Sequence, residues 1–232
     1  IAGPRDLAGR LVGVREFTMT AALVARGMLE DEFGLRSQDM RWCYGRADAT
    51  DDVPIARVLP RDVDIEKIGD DETLSDLLAE GRIDAMIAYK PPKAYVAGVP
   101  HVRRLFEDYP PLERDYYSRS GHFPIMHLIG VRRETLARDP GLSVRLCDAF
   151  QRALDYSQAR LLETQASYTM LPWNAAEAAR LKADFGALWR YGFKDNLEAI
   201  RTLCRYSLAQ GIAARAVEPE ELFAPETIEW RP

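Results

Sequence analysis

Two of the three histidines in this 232-residue sequence lie five residues apart, at His122 and His127, in the stretch SGHFPIMHLIGV. This spacing puts the two side chains on opposite faces of a strand, or about 140° apart on a helix, so they do not form a chelating pair. On a strand, His127 would share a face with Ile125 and Ile129, whose apolar side chains would desolvate it and shift its pKa. His127 is therefore either a hydrogen-bonded core histidine or a catalytic group, whereas His122 is expected at a surface turn before Pro124.

A second group of candidates follows a short apolar run: Arg15, Glu16, Thr18 and Thr20. They lie where a predicted strand ends and a predicted helix begins. Free backbone N–H groups and the helix dipole attract anions at such a junction. The pattern indicates an anion-binding site, although Thr18 could serve only as the helix N-cap and Glu16 could be a solvated residue.

Further candidates are Lys90, Tyr117 and Arg119. Lys90 follows a predicted strand at its carboxyl end, where α/β proteins bind ligands, but it could equally be a solvated lysine of a linker. Tyr117 and Arg119 could bring a phenol and a cation to a binding cleft. The alternative for this charged, aromatic stretch is a helix that packs within a lobe.

The composition excludes several classes of protein. With 47% hydrophobic and 29% charged residues the chain is globular, and its net charge of −5 with dispersed Lys and Arg does not predict a nucleic-acid-binding surface. No apolar run approaches the ~20 residues of a membrane-spanning helix. Three widely spaced cysteines predict reduced thiols and a cytoplasmic protein. Because the chain begins at Ile1, we expect an N-terminal segment to precede it.

The first ninety residues alternate between strand-like and helix-like patterns. Apolar runs predict strands at Gly9–Val14, Met40–Gly45, Val63–Ile68 and Asp84–Tyr89. Helical periodicity predicts helices over Thr18–Gly34, with Thr18 or Thr20 as N-cap, and over Thr73–Ile83. The order β-α-β-β-α-β predicts an α/β fold with a largely parallel sheet.

The stretch KPPKAYVAGVP, from Lys90 to Pro100, contains adjacent prolines and predicts a boundary between two regions. The first is an α/β lobe over residues 1–92, and the second covers residues 93–232. The second region combines one predicted strand, Ile125–Val131, with several helices. A single strand cannot form a sheet, so its partners are expected from a segment before Ile1.

Three stretches resemble the 4,5-dihydroxyphthalate decarboxylases: DLAGRLVGVREFTMTAALVARGMLEDEFGL, TLSDLLAEGRIDAMI and, most specifically, DYYSRSGHFPIMHLIGVRRE. The similarity runs from about Asp6 to about Phe223. The chain departs from the family pattern at Arg15, where proline is more usual, and at His122, where an apolar residue is usual. The resemblance implies a two-lobed, type II periplasmic-binding-protein-like fold with a cleft between lobes.

The resemblance also implies a function in aromatic degradation, namely the removal of carbon dioxide from a dihydroxylated benzene dicarboxylate. It favours His127 as the catalytic acid, with Glu16 as its catalytic companion near the ring hydroxyls. Arg15, Thr18, Thr20, Lys90, Arg119 and Tyr117 are then expected to bind the substrate.

No cofactor is expected, a divalent metal is left open, and the predicted partner is a small aromatic carboxylate rather than nucleic acid or membrane. The sequence leaves a homo-oligomer open. The alternative function is a non-catalytic solute-binding protein for a small organic anion, which the same fold would serve equally well.

Overall fold

A four-stranded parallel sheet forms the core of the N-terminal half. The computed structural model describes residues 1–52, 59–60, 62–187 and 189–232. The strands are β1 (Leu11–Val14), β2 (Arg41–Tyr44), β3 (Ile65–Lys67) and β4 (Ala85–Ile87), and they are arranged in the order β3-β2-β1-β4. All three pairings are parallel, which confirms the predicted α/β class with a parallel sheet flanked by helices.

Two helices connect the strands of this sheet. Helix α1 (Thr20–Phe33) links β1 to β2, and α2 (Leu74–Ala79) links β3 to β4. Helix α1 ends at Gly34, which adopts a left-handed conformation with φ of 69° and donates its N–H to the carbonyl of Glu30. Glycine suits this position because it has no Cβ to resist positive φ.

Helices dominate the rest of the chain. In chain order they are α3 (Lys93–Val96), α4 (Tyr109–Ser120), α5 (Arg133–Arg138), α6 (Leu142–Leu161), α7 (Asn174–Phe185), α8 (Leu197–Ala209) and α9 (Pro225–Ile228). Short 3-10 helices cover Pro4–Leu7, Ser37–Asp39, Lys194–Asn196 and Pro219–Leu222. Among the described residues, no helix is long and apolar enough to cross a membrane.

The chain divides into two compact units. The first comprises Ile1–Glu113 and Thr202–Val217 and contains the sheet, and the second comprises Arg114–Arg201 and Glu218–Pro232. The assignment of residues 1–92 and 93–232 to two lobes of a longer protein stays a prediction.

The first unit has the larger apolar core. Side chains from β1, β2, α1 and the flanking loops bury one another, with Val14, Phe17 and Trp42 at 2% exposure or less. In the second unit, Phe193 packs edge-on against Phe223 with ring centroids 5.1 Å apart. The C-terminal segment of that unit is held to α6 by a hydrogen bond from Trp230 Nε1 to Asp148 Oδ1 of 2.8 Å.

One local prediction is not met among the described residues, and a second is wrong. Residues 125–131 form no strand, because none of the described residues provides a ladder of backbone hydrogen bonds for them. The N-cap of α1 is Met19 rather than Thr18 or Thr20, and no side chain caps the first turn. Thr20 is instead the first residue of the helix.

Gly27 lies where α1 packs closely against α8. A Cβ atom at this position would overlap the ring of Tyr206. We expect Gly27→Ala to lower the free energy of unfolding by about 2 kcal/mol, since overpacking a core costs about 1–3 kcal/mol or more. This loss would exceed the ~1 kcal/mol gain in helix propensity.

Urea unfolding of the wild type and the variant measures this effect. Gly3→Ala is the control, because its backbone is extended with φ of −159° and its added Cβ would meet no atom within 4 Å. An unchanged stability of Gly27→Ala would show that Tyr206 moves aside without loss.

Candidate functional site

The carboxyl ends of β1, β2 and β4 define one edge of the sheet. Val14 at the end of β1 is level with Tyr44 of β2 on one side and with Ile87 of β4 on the other. From β1 the chain proceeds to β2 and β3 on one side and then returns to β4 on the opposite side. Open α/β sheets bind ligands at such a reversal of strand order, outside the carboxyl ends of the strands.

Arg15 is the first residue after β1 and lies at this edge. Its side chain is 24% exposed, and its Nη1 lies 3.7 Å from Oε1 of Glu16. The guanidinium carbon lies 6.0 Å from the centroid of the Tyr89 ring. The Nε of Arg15 is buried and has no hydrogen-bond partner among the described residues. Arg15 therefore retains a donor that none of the described residues satisfies.

Lys90, which follows β4, is engaged by acidic residues. Its Nζ donates to Oδ1 of Asp51 over 2.9 Å and lies 3.9 Å from Oδ2 of Asp48. The Tyr89 hydroxyl also donates to Oδ1 of Asp51, over 3.3 Å. Asp48 accepts in addition from the backbone N–H of Lys93 over 3.3 Å. The chain after β2 is thus tied to the chain after β4.

The pair of Lys90 and Asp51 shifts the pKa of both groups. Burial acts to raise the pKa of Asp51, whose side chain is only 10% exposed. Hydrogen bonds from Lys90 and from the backbone N–H of Asp48 outweigh burial, so this pKa lies below its ordinary value of 3.8. The hydrogen bond to Asp51 raises the pKa of Lys90 above 10.5. Both groups are charged at neutral pH.

Thr18 and Thr20 lie at the start of α1, beside this edge, and both are half-buried. The first N–H groups of a helix have no acceptor within the helix, and they carry the positive end of its dipole. The structure therefore brings five of the predicted site residues to one edge of the first unit: Arg15, Glu16, Thr18, Thr20 and Lys90.

The second unit holds the histidine segment against the end of α4. The side chain of His122 is half-buried, and its Nδ1 is 2.8 Å from the hydroxyl of Tyr116. The backbone N–H of His122 donates to Oγ of Ser120, which in turn donates to the carbonyl of Tyr116. His122, which is expected at a surface turn, is half-buried because α4 ends beside it and supplies these partners.

Tyr117 packs within the same unit. Its ring lies edge-on to those of Phe123 and Phe185, at centroid distances of 6.2 and 5.3 Å. Arg119 is more than half exposed, and its Nε donates to Oδ2 of Asp115 one turn earlier on α4. These contacts are those of a helix that packs within its unit. Substrate binding by Tyr117 and Arg119 stays a prediction.

His127 is exposed, in contrast to the expected desolvated strand position. Its neighbours Leu128 and Ile129 are also more than half exposed, because the segment pairs with no described strand. The predicted burial of His127 is not seen among the described residues. Its assignment as a catalytic acid stays a prediction.

The sequence interpretation missed Tyr89, Asp48 and Asp51. All three follow strands, and the acidic character of the stretch after β2 was the available signal. Their meeting with Lys90 depends on β2 and β4 lying on either side of β1, which the sequence does not reveal. Arg46 was missed as well: its Nη2 donates to the carbonyl of Asp70, and its Nε is buried without a partner among the described residues.

The described residues contain no group of three His, Cys, Asp or Glu side chains that could hold a metal ion. Cys43, Cys147 and Cys204 form no disulfide bond with one another, and burial raises the pKa of the Cys43 thiol to about 12. Cys43 is therefore protonated at neutral pH and packs as a small core residue, as predicted.

Comparison with known proteins identifies the family. The 4,5-dihydroxyphthalate decarboxylase of Comamonas testosteroni is 33% identical to this chain over 231 residues, which make up 99% of the chain and 70% of the relative. The chain belongs to the 4,5-dihydroxyphthalate decarboxylase family. A 4,5-dihydroxyphthalate decarboxylase of Pseudomonas putida is 36% identical over 118 residues, covering 50% of this chain and 46% of that relative. No protein-family model matches the chain.

The family assignment confirms the resemblance seen in the sequence. The match covers both compact units, so the edge of the sheet and the histidine segment both lie within the aligned region.

The Lys90–Asp51 pair generates a prediction about stability and pH. A carboxyl whose pKa is lowered on folding stabilises the fold above its ordinary pKa and loses that effect as the pH falls through the folded value. An ammonium whose pKa is raised stabilises below its ordinary pKa and loses the effect as the pH rises through the folded value. We expect Asp51→Asn to lower the melting temperature between about pH 4 and pH 10, with a difference that shrinks below about pH 4.

Melting curves of the wild type and Asp51→Asn at several pH values check this expectation. Asp52→Asn is the matched control, because Asp52 is exposed and forms no ion pair among the described residues. An equal loss in both variants, or a loss that is the same at pH 3 and pH 7, would contradict it.

Proposed function

We propose that this protein decarboxylates 4,5-dihydroxyphthalate, or a close hydroxylated aromatic dicarboxylate, to the corresponding dihydroxybenzoate such as protocatechuate. The identity with the Comamonas relative of that name, over nearly the whole chain, carries the proposal. The anion-binding features at the carboxyl edge of the sheet support it independently.

We further propose that the sheet belongs to one lobe of a two-lobed, type II periplasmic-binding-protein-like fold. The strand order β3-β2-β1-β4, with its reversal between β1 and β4, supports this assignment.

Arg15 is the proposed anchor for a substrate carboxylate. It is a cation at the reversal of strand order, its buried Nε has no hydrogen-bond partner in the part of the chain that the structure describes, and an arginine can bind a carboxylate through two parallel hydrogen bonds. The N-terminus of α1, with Thr18 and Thr20 beside it, would add N–H donors and a favourable dipole. Lys90 would contribute less, since Asp51 and Asp48 already balance its charge.

The reaction requires a proton donor at the ring carbon that bears the departing carboxylate. The ring hydroxyl para to this carbon pushes electron density toward it, and the donor forms a new C–H bond there. The bond to the carboxylate then breaks, its electron pair restores the aromatic ring, and carbon dioxide leaves. Glu16 is the proposed acceptor for a ring hydroxyl, and its carboxylate lies beside the Arg15 anchor.

His127 is the proposed proton donor. Its exposed imidazole is accessible, and no hydrogen bond joins it to another described residue. After each turnover, water would return the proton to the imidazole.

Incubation of purified protein with 4,5-dihydroxyphthalate tests the activity. Release of carbon dioxide and formation of protocatechuate in equal amounts would support it. Tight binding with no turnover, across a panel of hydroxylated aromatic acids, would favour a solute-binding protein and contradict the proposal.

Replacement of Arg15 should weaken substrate binding. A hydrogen bond to a charged group contributes about 1.5–3 kcal/mol, so we expect Arg15→Met to raise KM roughly ten- to hundredfold. The value of kcat should change less, because the anchor holds the substrate and the transition state alike. Lys90→Met should raise KM by a smaller factor.

Steady-state kinetics measure both variants. Arg10→Met is the matched control, because Arg10 precedes the opposite end of β1, where it pairs with Asp84, and should leave KM unchanged. A KM of Arg15→Met equal to that of the wild type would remove Arg15 from the site.

Replacement of His127 should lower kcat. General acid catalysis contributes about 10²–10⁴-fold, so we expect His127→Asn to lower kcat by at least roughly 100-fold while the circular dichroism spectrum stays unchanged. His101→Asn is the control, since His101 is exposed and contacts only the carbonyl of Ala79 among the described residues. Near-normal turnover of His127→Asn would mean that another group donates the proton.

A further inference from the structure

The most deeply buried charge of the first unit lies on α1. Arg26 is only 1% exposed, although arginine is almost never fully buried unless it is paired. No carboxylate of the described residues forms an ion pair with it, and its Nη1 is buried without a hydrogen-bond partner among them. Burial lowers the pKa of Arg26 to about 9, so the side chain is still charged at neutral pH.

The side chain of Arg26 extends back toward the start of its own helix, as helical side chains do. Its Nη2 donates to the backbone carbonyl of Phe17 over 2.7 Å. Its guanidinium carbon lies 3.6 Å from the centroid of the Phe17 ring and 5.5 Å from that of Trp42. Phe17 and Trp42 in turn pack edge-on, with centroids 5.5 Å apart. Arg26 therefore holds Phe17 by both its backbone and its ring.

A glutamine at the end of α8 fixes the guanidinium from the other side. Oε1 of Gln210 accepts from Nε of Arg26 over 2.7 Å, and Nε2 of Gln210 donates to the carbonyl of Leu23 over 2.9 Å. Gln210 is itself buried, and its backbone N–H donates to the carbonyl of Tyr206. The amide therefore has both ends satisfied, which sets the direction in which Arg26 points.

Phe17 is two residues after Arg15 and one after Glu16, in the connection between β1 and α1. We propose that Arg26 is a positioning residue, which fixes the Arg15–Phe17 connection by its hydrogen bond to the Phe17 carbonyl and its stacking on the Phe17 ring, and thereby sets the carboxylate anchor Arg15. The inference that Arg26 sets the anchor rests on the proposed role of Arg15. The effect of Arg26 on the backbone of the connection does not depend on that role.

A neutral residue of similar size could fill the same volume without burying a charge. Replacing buried ionic groups by well-packed apolar ones is often neutral or stabilising. The planar fork of arginine, however, can donate in two fixed directions and stack on an aromatic face at the same time. Arg26 both donates in two directions and stacks on aromatic rings, and two of its four contacts end on Phe17.

Arg205 provides a matched comparison on the same pair of helices. It joins α8 to α1 through two hydrogen bonds to Asp31, of 2.9 and 2.7 Å, and none of its hydrogen bonds, ion pairs or ring contacts with the described residues reaches the Arg15–Phe17 connection. Loss of Arg205 should weaken the packing of α1 and α8, whereas loss of Arg26 should also free the connection.

The test compares Arg26→Met, Arg26→Lys and Arg205→Met in the purified protein. We expect Arg26→Met to raise KM for 4,5-dihydroxyphthalate roughly tenfold with little change in kcat, because a displaced Arg15 would lose much of a charged hydrogen bond of about 1.5–3 kcal/mol to the substrate. Arg26→Lys should recover part of this loss, because an ammonium can still donate to Phe17 but lacks the fork. Arg205→Met should lower the melting temperature and leave KM unchanged.

Coupling to the anchor separates positioning from general stability. In an Arg15→Met background, adding Arg26→Met should raise KM little further, because the anchor that Arg26 positions is already absent. An unchanged KM in Arg26→Met would overturn the proposal. A KM increase in the double variant equal to the product of the two single-variant increases would also overturn it.

Hydrogen exchange of the backbone N–H groups of residues 15–19 gives a readout that needs no turnover. Exchange there should accelerate in Arg26→Met but not in Arg205→Met, and equal rates in all three proteins would overturn the positioning role. If exchange accelerates in Arg26→Met but the wild-type protein does not decarboxylate 4,5-dihydroxyphthalate, the proposed function is contradicted and the positioning role is not. If Arg26→Met does not fold, Gln210→Met takes its place, because it removes the acceptor that directs Arg26 and should show the same changes to a smaller degree.

Discussion

The hydrogen-bond ladders on both sides of β1 require β1, β2 and β4 to run in the same direction and to end at the same edge of the sheet. Every charged group of the candidate site in the first unit follows the end of one of these strands. Arg15 and Glu16 leave β1, Asp48 and Asp51 follow β2, and Lys90 follows β4. A side chain that is distant in the sequence thus becomes a neighbour because of parallel pairing, with no need for a shared motif.

Charge balance then distinguishes the cations at this edge. Lys90 is neutralised by Asp51 and Asp48, and the same contacts tie the connection after β2 to the one after β4. Among the described residues, Arg15 has a long contact of 3.7 Å to Glu16, lies 6.0 Å from the Tyr89 ring centroid and retains a buried donor without a hydrogen-bond partner. A bound carboxylate would satisfy that donor, whereas at Lys90 it would compete with ion pairs already formed. Buried Arg26 holds the connection that carries Arg15 through its contacts with the carbonyl and the ring of Phe17.

The second unit is organised by helix ends and aromatic contacts. The segment after α4 turns back so that His122 meets Tyr116 and Phe123 meets Tyr117, which anchors its first residues. Beyond Pro124 the same segment becomes exposed and reaches His127 without a strand partner among the described residues. The two histidines that are five residues apart therefore have different surroundings, one held by a tyrosine hydroxyl and one open to solvent.

The sequence by itself determined the order and type of the elements in the first ninety residues, the stop of α1 at Gly34 and the membership of the family. These features depend on local periodicity, on the tolerance of glycine for positive φ and on similarity along the chain. Only the tertiary structure decided that Met19 caps α1, that residues 125–131 lack a ladder, that Lys90 is paired and that Arg26 contacts Phe17 and Gln210. Each of these depends on which distant residue fills the space beside a side chain or supplies the acceptor for a donor. Local spacing carries no information about that neighbour, because Gln210 follows Arg26 by 184 residues and Lys90 follows Asp51 by 39.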